Sequence, residues 1–319
     1  MAINRGVSEP PRESGARAAR TSRLFQRPYL LLVCAALAWG GNVVASRMAV
    51  GEISPMLLAG ARWLLVLVLL GLTCRRQIVE AAPTLLRHRY RVLGMGAIGF
   101  TGNSALSYLA AHHTSAVNLS IVQGTIPVLV LLGGLVFHRE RIAAGQAIGV
   151  AASVAGCLVV SSRGRLETLS AFKPDAGVLI MLGACVSYAS FTVMLRGQDS
   201  GRGNNAVGLL FGLATAGCIT SLPLIGIEAA AGTLQLPSLK GWMILLYVAL
   251  IASLLAQMFF IRSVALIGPS RAGLFINLVP AFGALLAVLL LGEAFGLYQA
   301  VALLFILLGI AIAEISRAR

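Results

Sequence analysis

The sequence predicts an all-α integral membrane protein with ten transmembrane helices arranged as two inverted five-helix repeats. Three observations carry this expectation. Of the 319 residues, 58% are hydrophobic and only 11% are charged, and the mean hydropathy is +0.88, values foreign to soluble domains. The apolar residues fall in continuous runs of about twenty, long enough to cross a hydrocarbon core of about 30 Å, and not in the alternating ten-residue segments of a β-barrel. Pro127, Glu140, Gln146 and Gly156 recur as Pro280, Glu293, Gln299 and Gly309, each pair 153 residues apart.

Residues 1–27 hold six arginines and few aliphatics, so they are expected to form a disordered cytoplasmic tail. No small-residue cleavage site follows the first apolar run, and the first helix is expected to stay in the mature chain. The runs place helices at 28–49, 55–74, 91–111, 114–137 and 143–161 in a first repeat spanning 28–161. A periplasmic linker at 162–174 leads to a second repeat spanning 175–316, with helices at 175–195, 205–225, 241–263, 269–291 and 297–316. Only His112 and His113 divide the third helix from the fourth, and only Gly268-Pro269 divides the eighth from the ninth, so both junctions read as tight hairpins.

With the N-terminus inside, nineteen arginines and lysines lie on the inner side and four on the outer, which puts both termini in the cytoplasm and requires an even number of spans. The net charge of +14 is therefore a topology signal and an attraction for anionic lipid. A nucleic-acid surface is not expected, because the charges are spread over the loops of a hydrophobic chain. Five spans per copy is an odd number, so the second copy enters the bilayer upside down. Trp39 with Arg47 in the first helix is echoed by Tyr188 with Arg196 in the sixth. Inverted repeats exchange roles as a central site opens to one side and then to the other, the working principle of alternating-access carriers.

The residues Trp39-Gly40-x-Asn42, Ala59-x-x-Arg62, Ala105-Leu106-x-Tyr108, Pro127-x12-Glu140 and Pro280-x12-Glu293 resemble the drug/metabolite transporter superfamily, specifically its ten-helix exporters built from two EamA domains. The likeness covers about residues 28–316, and the proline-to-glutamate pattern with its following glycine-rich helix is its most specific part. The resemblance implies export of amino acids or related metabolites across a bacterial inner membrane, and points to the neutral and aromatic amino-acid exporters of the YddG type. A nucleotide-sugar carrier of the same superfamily is the alternative. It would call for two or more cations in the cavity to hold phosphate, and only Arg62 is available.

Polar side chains within the spans are the candidates for substrate contact, since an unpaired polar group in lipid is costly and faces the interior. Trp39, Asn42 and Ser46 share one face of the first helix; Asn103 and Ser107, or Ser104 and Tyr108, share a face of the third. Asn118, Thr125, Tyr188, Thr192, Ser253, Gln257 and Asn277 complete the set. The expected substrate-binding residues are Trp39, Asn42, Arg62, Asn103, Tyr108, Tyr188, Gln257 and Asn277, with Trp39 and Tyr188 roofing a cavity dotted with amides that suits a zwitterion. The competing structural readings are interhelical hydrogen bonds for the amides and hydroxyls. For Arg62, they are snorkelling or the capping of backbone carbonyls.

Pro127 and Pro280 interrupt the fourth and ninth helices and are candidate hinges. Glu140 and Glu293 precede the next helices and read as structural carboxylates at those N-termini. Gly145, Gly149, Gly156 and Gly309 read as close-packing positions. No acidic residue lies deep in a span, which points to facilitated movement without a titrating carboxylate. The five cysteines read as packing residues, and Gly94-x-Gly96-x-x-Gly99 lies in an apolar helix with no strand before it, so it is not a nucleotide fingerprint. No metal, cofactor or nucleophile motif appears. A membrane-embedded transferase would show clustered His, Asp or Glu, and a receptor would carry a soluble domain, so neither is expected. The expected partners are a small-molecule metabolite and the lipid bilayer, with the chain a monomer or a weak homodimer.

Overall fold

The computed structural model describes residues 26–138, 143–165, 175–196 and 206–317. The expected tail at 1–27 lies almost wholly outside these, as do Glu140 and most of the linker. The described chain is helical throughout, with no strand. The helices are α1 (Pro28–Met48), α2 (Pro55–Thr73), α3 (Arg75–Arg87), α4 (segments Arg89–Gly96, Ala97–Gly102 and Asn103–Ala110), α5 (Ala116–Gln123 and Ile126–His138) and α6 (Ala144–Ser161). They continue as α7 (Ala176–Arg196), α8 (Ala206–Ala230), α9 (Leu239–Leu246, Tyr247–Leu255 and Ala256–Ile267), α10 (Pro269–Leu274, Phe275–Leu278 and Val279–Leu291) and α11 (Leu297–Arg317).

Among the described residues, nine of these stretches are long and apolar enough to cross a membrane. The tenth span is α4, whose three segments of 8, 6 and 8 residues run without a break; Arg89 and Arg91 lower the hydropathy of its first turn. The helix α3 lies in the stretch between the expected helices at 55–74 and 91–111, where no helix is predicted. Its apolar residues Ile78, Ala81, Ala82 and Leu85 recur at helical spacing and are its half-buried positions. Non-helical backbone at Cys74 and His88 separates it from α2 and α4. The span α8 runs five residues further than expected, to Ala230.

One end of the bundle is clasped by polar contacts between loops. There Glu52 pairs with Lys240 at 3.2 Å and accepts from the Ser238 hydroxyl. Arg47 donates to the Ala111 carbonyl, Ser54 N–H donates to the Gln235 carbonyl at 3.1 Å, and Asp175 pairs with Arg163 at 2.9 Å. The opposite end carries Arg75, Arg76, Arg87, Arg89 and Arg91. Cross-links there among the described residues include Arg91 to the Met194 carbonyl at 3.0 Å and Ser263 to the Pro28 carbonyl at 3.1 Å.

The duplication reaches the level of single side chains. Gln146 accepts from the Ala143 N–H at 2.9 Å and Gln299 accepts from the Gly296 N–H at 2.6 Å, so each caps the fifth span of its repeat. π-helical segments occur at Ala97–Gly102 in α4 and Tyr247–Leu255 in α9, the third spans of the two copies. A Cβ on Gly309 would lie 2.5 Å from the Gly149 carbonyl oxygen, and one on Gly156 2.8 Å from that of Ala302. Moving each residue by the repeat interval converts the first contact into the second, as a two-fold axis between α6 and α11 requires. Glycine at 149 and 309 is what lets these backbones touch, the packing role expected of them.

The prolines act differently from an interior kink. The break in α5 falls at Gly124–Thr125 and that in α10 at the 3₁₀ turn Phe275–Leu278, each just before the proline. Pro127 and Pro280 then occupy the second position of the segment that follows, where a missing N–H leaves no hydrogen bond unmade.

Candidate functional site

Where α1, α2, α4, α5 and α7 meet, a cavity of about 30 Å³ is lined by Asn42, Val43, Ser46, Arg62, Asn103, Ser104, Ser107, Tyr108, Leu119, Gln123 and Met181. Asn103, Ser104, Ser107 and Tyr108 occupy adjacent positions on successive turns of α4, so both pairs named as alternatives from the sequence face the cavity together. The space is large enough for one or two waters.

Arg62 is 8% exposed. Its Nε and Nη2 donate to Ser253 Oγ at 3.1 and 2.6 Å, and Nη1 donates to the Tyr108 hydroxyl at 2.6 Å. Its guanidinium lies 4.6 Å from the Trp63 ring centroid, a cation–π contact. The residue therefore neither snorkels nor caps carbonyls. Ser253 can receive it because the wide turn of the α9 π segment lets its hydroxyl donate five residues back, to the Val248 carbonyl at 2.6 Å, leaving its lone pairs for the guanidinium. No carboxylate among the described residues forms an ion pair with Arg62. Beside it, Asn42 Oδ1, Ser104 Oγ and Gln123 Oε1 are buried and without hydrogen-bond partners. A buried cation facing unsatisfied acceptors is expensive to leave empty. It is matched by a ligand that brings one anionic group and several N–H or O–H donors.

Of the eight expected binding residues, the structure gathers Asn42, Arg62, Asn103 and Tyr108 around this cavity. Trp39 and Tyr188 do not roof it. Trp39 Nε1 donates to the Ala252 carbonyl at 3.0 Å and its ring packs on Phe260, which ties α1 to α9. Tyr188 packs against Phe191 in the cluster around Trp63 and Phe100. Gln257 on α9 and Asn277 in the 3₁₀ turn of α10 are half-buried and outside the lining. Indole and phenol bury more apolar area against neighbouring aromatics than a small polar cavity offers them. The sequence reading does not include Gln123; its signal is an amide five residues after Asn118 in an otherwise largely apolar helix, one residue before the Gly124–Thr125 break.

Several other polar candidates are satisfied within the scaffold. Gln299 donates to Asn118 Oδ1 at 3.1 Å, Asn118 donates to Thr114 Oγ1 at 3.1 Å, and Thr114 donates to Asp175 at 3.3 Å. Thr125 and Thr192 donate to the Val122 and Tyr188 carbonyls. Glu293 does not serve the helix that follows it. Its carboxylate accepts from the Ala116 and Val117 N–H groups, both at 2.9 Å, and so caps α5 across the repeat boundary. Glu228 does the same for α2, accepting from Met56 and Leu57 at 2.9 and 3.3 Å. Both clamps belong to the clasped end, where Ser238 and then Lys240 hold the Glu52 carboxyl below its ordinary range. Desolvation, reinforced by His113 and Arg47, pushes the His112 imidazole down.

The model of the EamA-like transporter family matches the chain twice, over residues 26–162 and 175–314. An uncharacterized transporter of Bacillus subtilis, YyaM, is 22% identical over 289 residues, 88% of this chain and 92% of its own length. An uncharacterized transporter of Archaeoglobus fulgidus is 27% identical over 273 residues, with 84% and 90% covered. The uncharacterized inner membrane transporter YedA of Escherichia coli K12 is 26% identical over 263 residues, 80% of each chain. A solved crystal structure shares the fold with a TM-score of 0.57 at 19% identity, over 90% of this chain and 96% of the other.

Proposed function

Because the chain belongs to the EamA-like transporter family, we propose that it exports small zwitterionic metabolites, neutral and aromatic amino acids first among them, from the cytoplasm by alternating access. The observation that carries this reading is Arg62, a buried cation with no acidic partner among the described residues, beside three unpaired acceptor atoms. Arg62 with Tyr108 receives the substrate carboxylate; Asn42 and Gln123 accept from its ammonium group. Asn103 and Ser107 border the path. A single cation is too little for a nucleotide or sugar phosphate. With no carboxylate lining the cavity to titrate, movement is facilitative.

The excess of arginine at the unclasped end supports placing that end, and both termini, in the cytoplasm of a bacterial inner membrane. The clasped end is then the periplasmic gate, held shut by the Glu228 and Glu293 clamps, and the breaks before Pro127 and Pro280 are the flexible points at which α5 and α10 bend to open it.

Counterflow of labelled leucine and phenylalanine into proteoliposomes tests the reading. Arg62→Ala is expected to weaken half-saturation by about thirtyfold or more, the usual effect of removing one member of a buried charged contact. Arg62→Lys is expected to recover only part, since an ammonium cannot span Tyr108, Ser253 and a carboxylate at once. Normal transport by membrane-inserted Arg62→Ala refutes the carboxylate role, and transport of sugar phosphates without amino acids refutes the substrate class.

A further inference from the structure

We infer that α3 is an amphipathic helix lying in the membrane surface and that its arginines form a docking surface for anionic phospholipid headgroups. The helix joins two spans at the same end of the bundle. Its 13 residues reach about 20 Å, too short to cross the hydrocarbon core, and the breaks at Cys74 and His88 free its axis from those of α2 and α4.

Three faces follow from the 100° step per residue. Ile78 and Leu85 pack on the protein, against the cluster that includes Leu210 and Leu213 of α8. Gly212 makes room for them, since a Cβ there would lie 2.8 Å from Leu85 Cδ2. Val79 and Leu86, next round the helix, are 63% and 65% exposed with no protein partner to cover them, and Tyr90 just beyond is 76% exposed. In a membrane protein such a strip at a helix junction meets acyl chains.

The third face carries Arg76, Glu80 and Arg87, and Arg75 opens the helix in line with Val79 and Leu86, so cations border the exposed apolar strip. Arg76 is held by Glu80 at 2.9 Å, with both side chains largely exposed, whereas Arg75 and Arg87 form no ion pair among the described residues. Arg89 and Arg91 follow at once, so five arginines stand against one glutamate. Apolar wedge, unpaired guanidinium groups and the neighbouring ends of two spans together match a phospholipid with a negative headgroup: the chains meet Val79 and Leu86 while the phosphate meets the arginines, which bind it bidentately.

The test uses the full-length protein reconstituted in phosphatidylcholine, with spin-labelled phosphatidylglycerol or spin-labelled phosphatidylcholine as probe, read by electron spin resonance. Phosphatidylglycerol is expected to associate at least about threefold more than phosphatidylcholine at low salt, and the ratio is expected to fall towards one in 1 M salt. The variant R75Q/R76Q/R87Q is expected to bring the ratio to about one at low salt, while R75K/R76K/R87K and a chain lacking residues 1–24 keep most of it. A ratio that survives the glutamine substitutions, ignores salt or vanishes on removal of the tail overturns the proposal. If the glutamine variant fails to fold, the lysine variant and the salt series still decide. A fluorophore on Leu86→Cys is expected to be quenched by lipids labelled near the top of the acyl chain, and the absence of quenching overturns the in-plane placement.

Discussion

Removing the Glu293 carboxylate should unfasten a helix of the other repeat. Ala116 and Val117, whose N–H groups it receives, are both fully buried beneath it, so its removal takes the charged acceptor from two buried donors. Hydrogen bonds to a charged group are worth about 1.5–3 kcal/mol each, and a single N-cap substitution about 0.5–2 kcal/mol. Two bonds sharing one cap place Glu293→Ala at about 3 kcal/mol of destabilisation. Glu293→Gln, which keeps one carbonyl acceptor but neither the charge nor the second oxygen, falls at about half that. With an unfolding entropy of about 2.1 cal/mol/K per residue, 3 kcal/mol lowers the midpoint of a chain this size by about 4–5 °C. Thermal unfolding in detergent reads the midpoint, and hydrogen exchange reads the location. Faster exchange is expected at the first turn of α5, around 116–118. A midpoint within about 1 °C of the parent, or faster exchange confined to the first turn of α11, would refute the cross-repeat cap.

Gly149→Val and Gly309→Val each drive a side chain into a carbonyl 2.4 or 2.5 Å away and should lose folded protein, by more than about 3 kcal/mol, in a fluorescence size-exclusion assay. Gly94→Ala, which meets nothing within 4 Å, should be neutral or gain up to about 1 kcal/mol in the same assay. Glu52 titrates lower in the fold than in the unfolded chain because Ser238 and Lys240 hold its charged form. Its contribution is therefore present above the ordinary carboxylate pKa of about 4.3 and lost as pH falls through the depressed value. Unfolding midpoints from pH 6 down to pH 3 should show Glu52→Gln with a shallower acid loss than the parent, and identical slopes would exclude the linkage.

Hydropathy and the repeat were legible in the chain because each is carried by many residues at once. The helices α1, α2, α6, α7 and α11 lie within a few residues of where the apolar runs put them, and the glycines of α6 and α11 do the packing that their spacing implied. The helix α3 escaped notice because a dense arginine run masks a short apolar stripe. Its four inward residues matter only when α8 is there to cover them. Gln123 escaped for a related reason: a single amide carries no period.

Local pattern and bulk hydrophobicity, being sums over neighbours in the chain, determined that this is a ten-span membrane protein duplicated head to tail, and singled out Arg62 as the cation in its interior. Which groups meet was decided by packing across more than a hundred residues of chain. Arg62 reaches Ser253, Glu293 caps α5 and not α11, Trp39 binds Ala252 instead of the cavity, and the π turn of α9 aims a hydroxyl that a regular helix would turn elsewhere. Those partners follow from the relative placement of rigid helices, and hydrogen bonds that act over about 3 Å leave no periodic trace in the order of the residues.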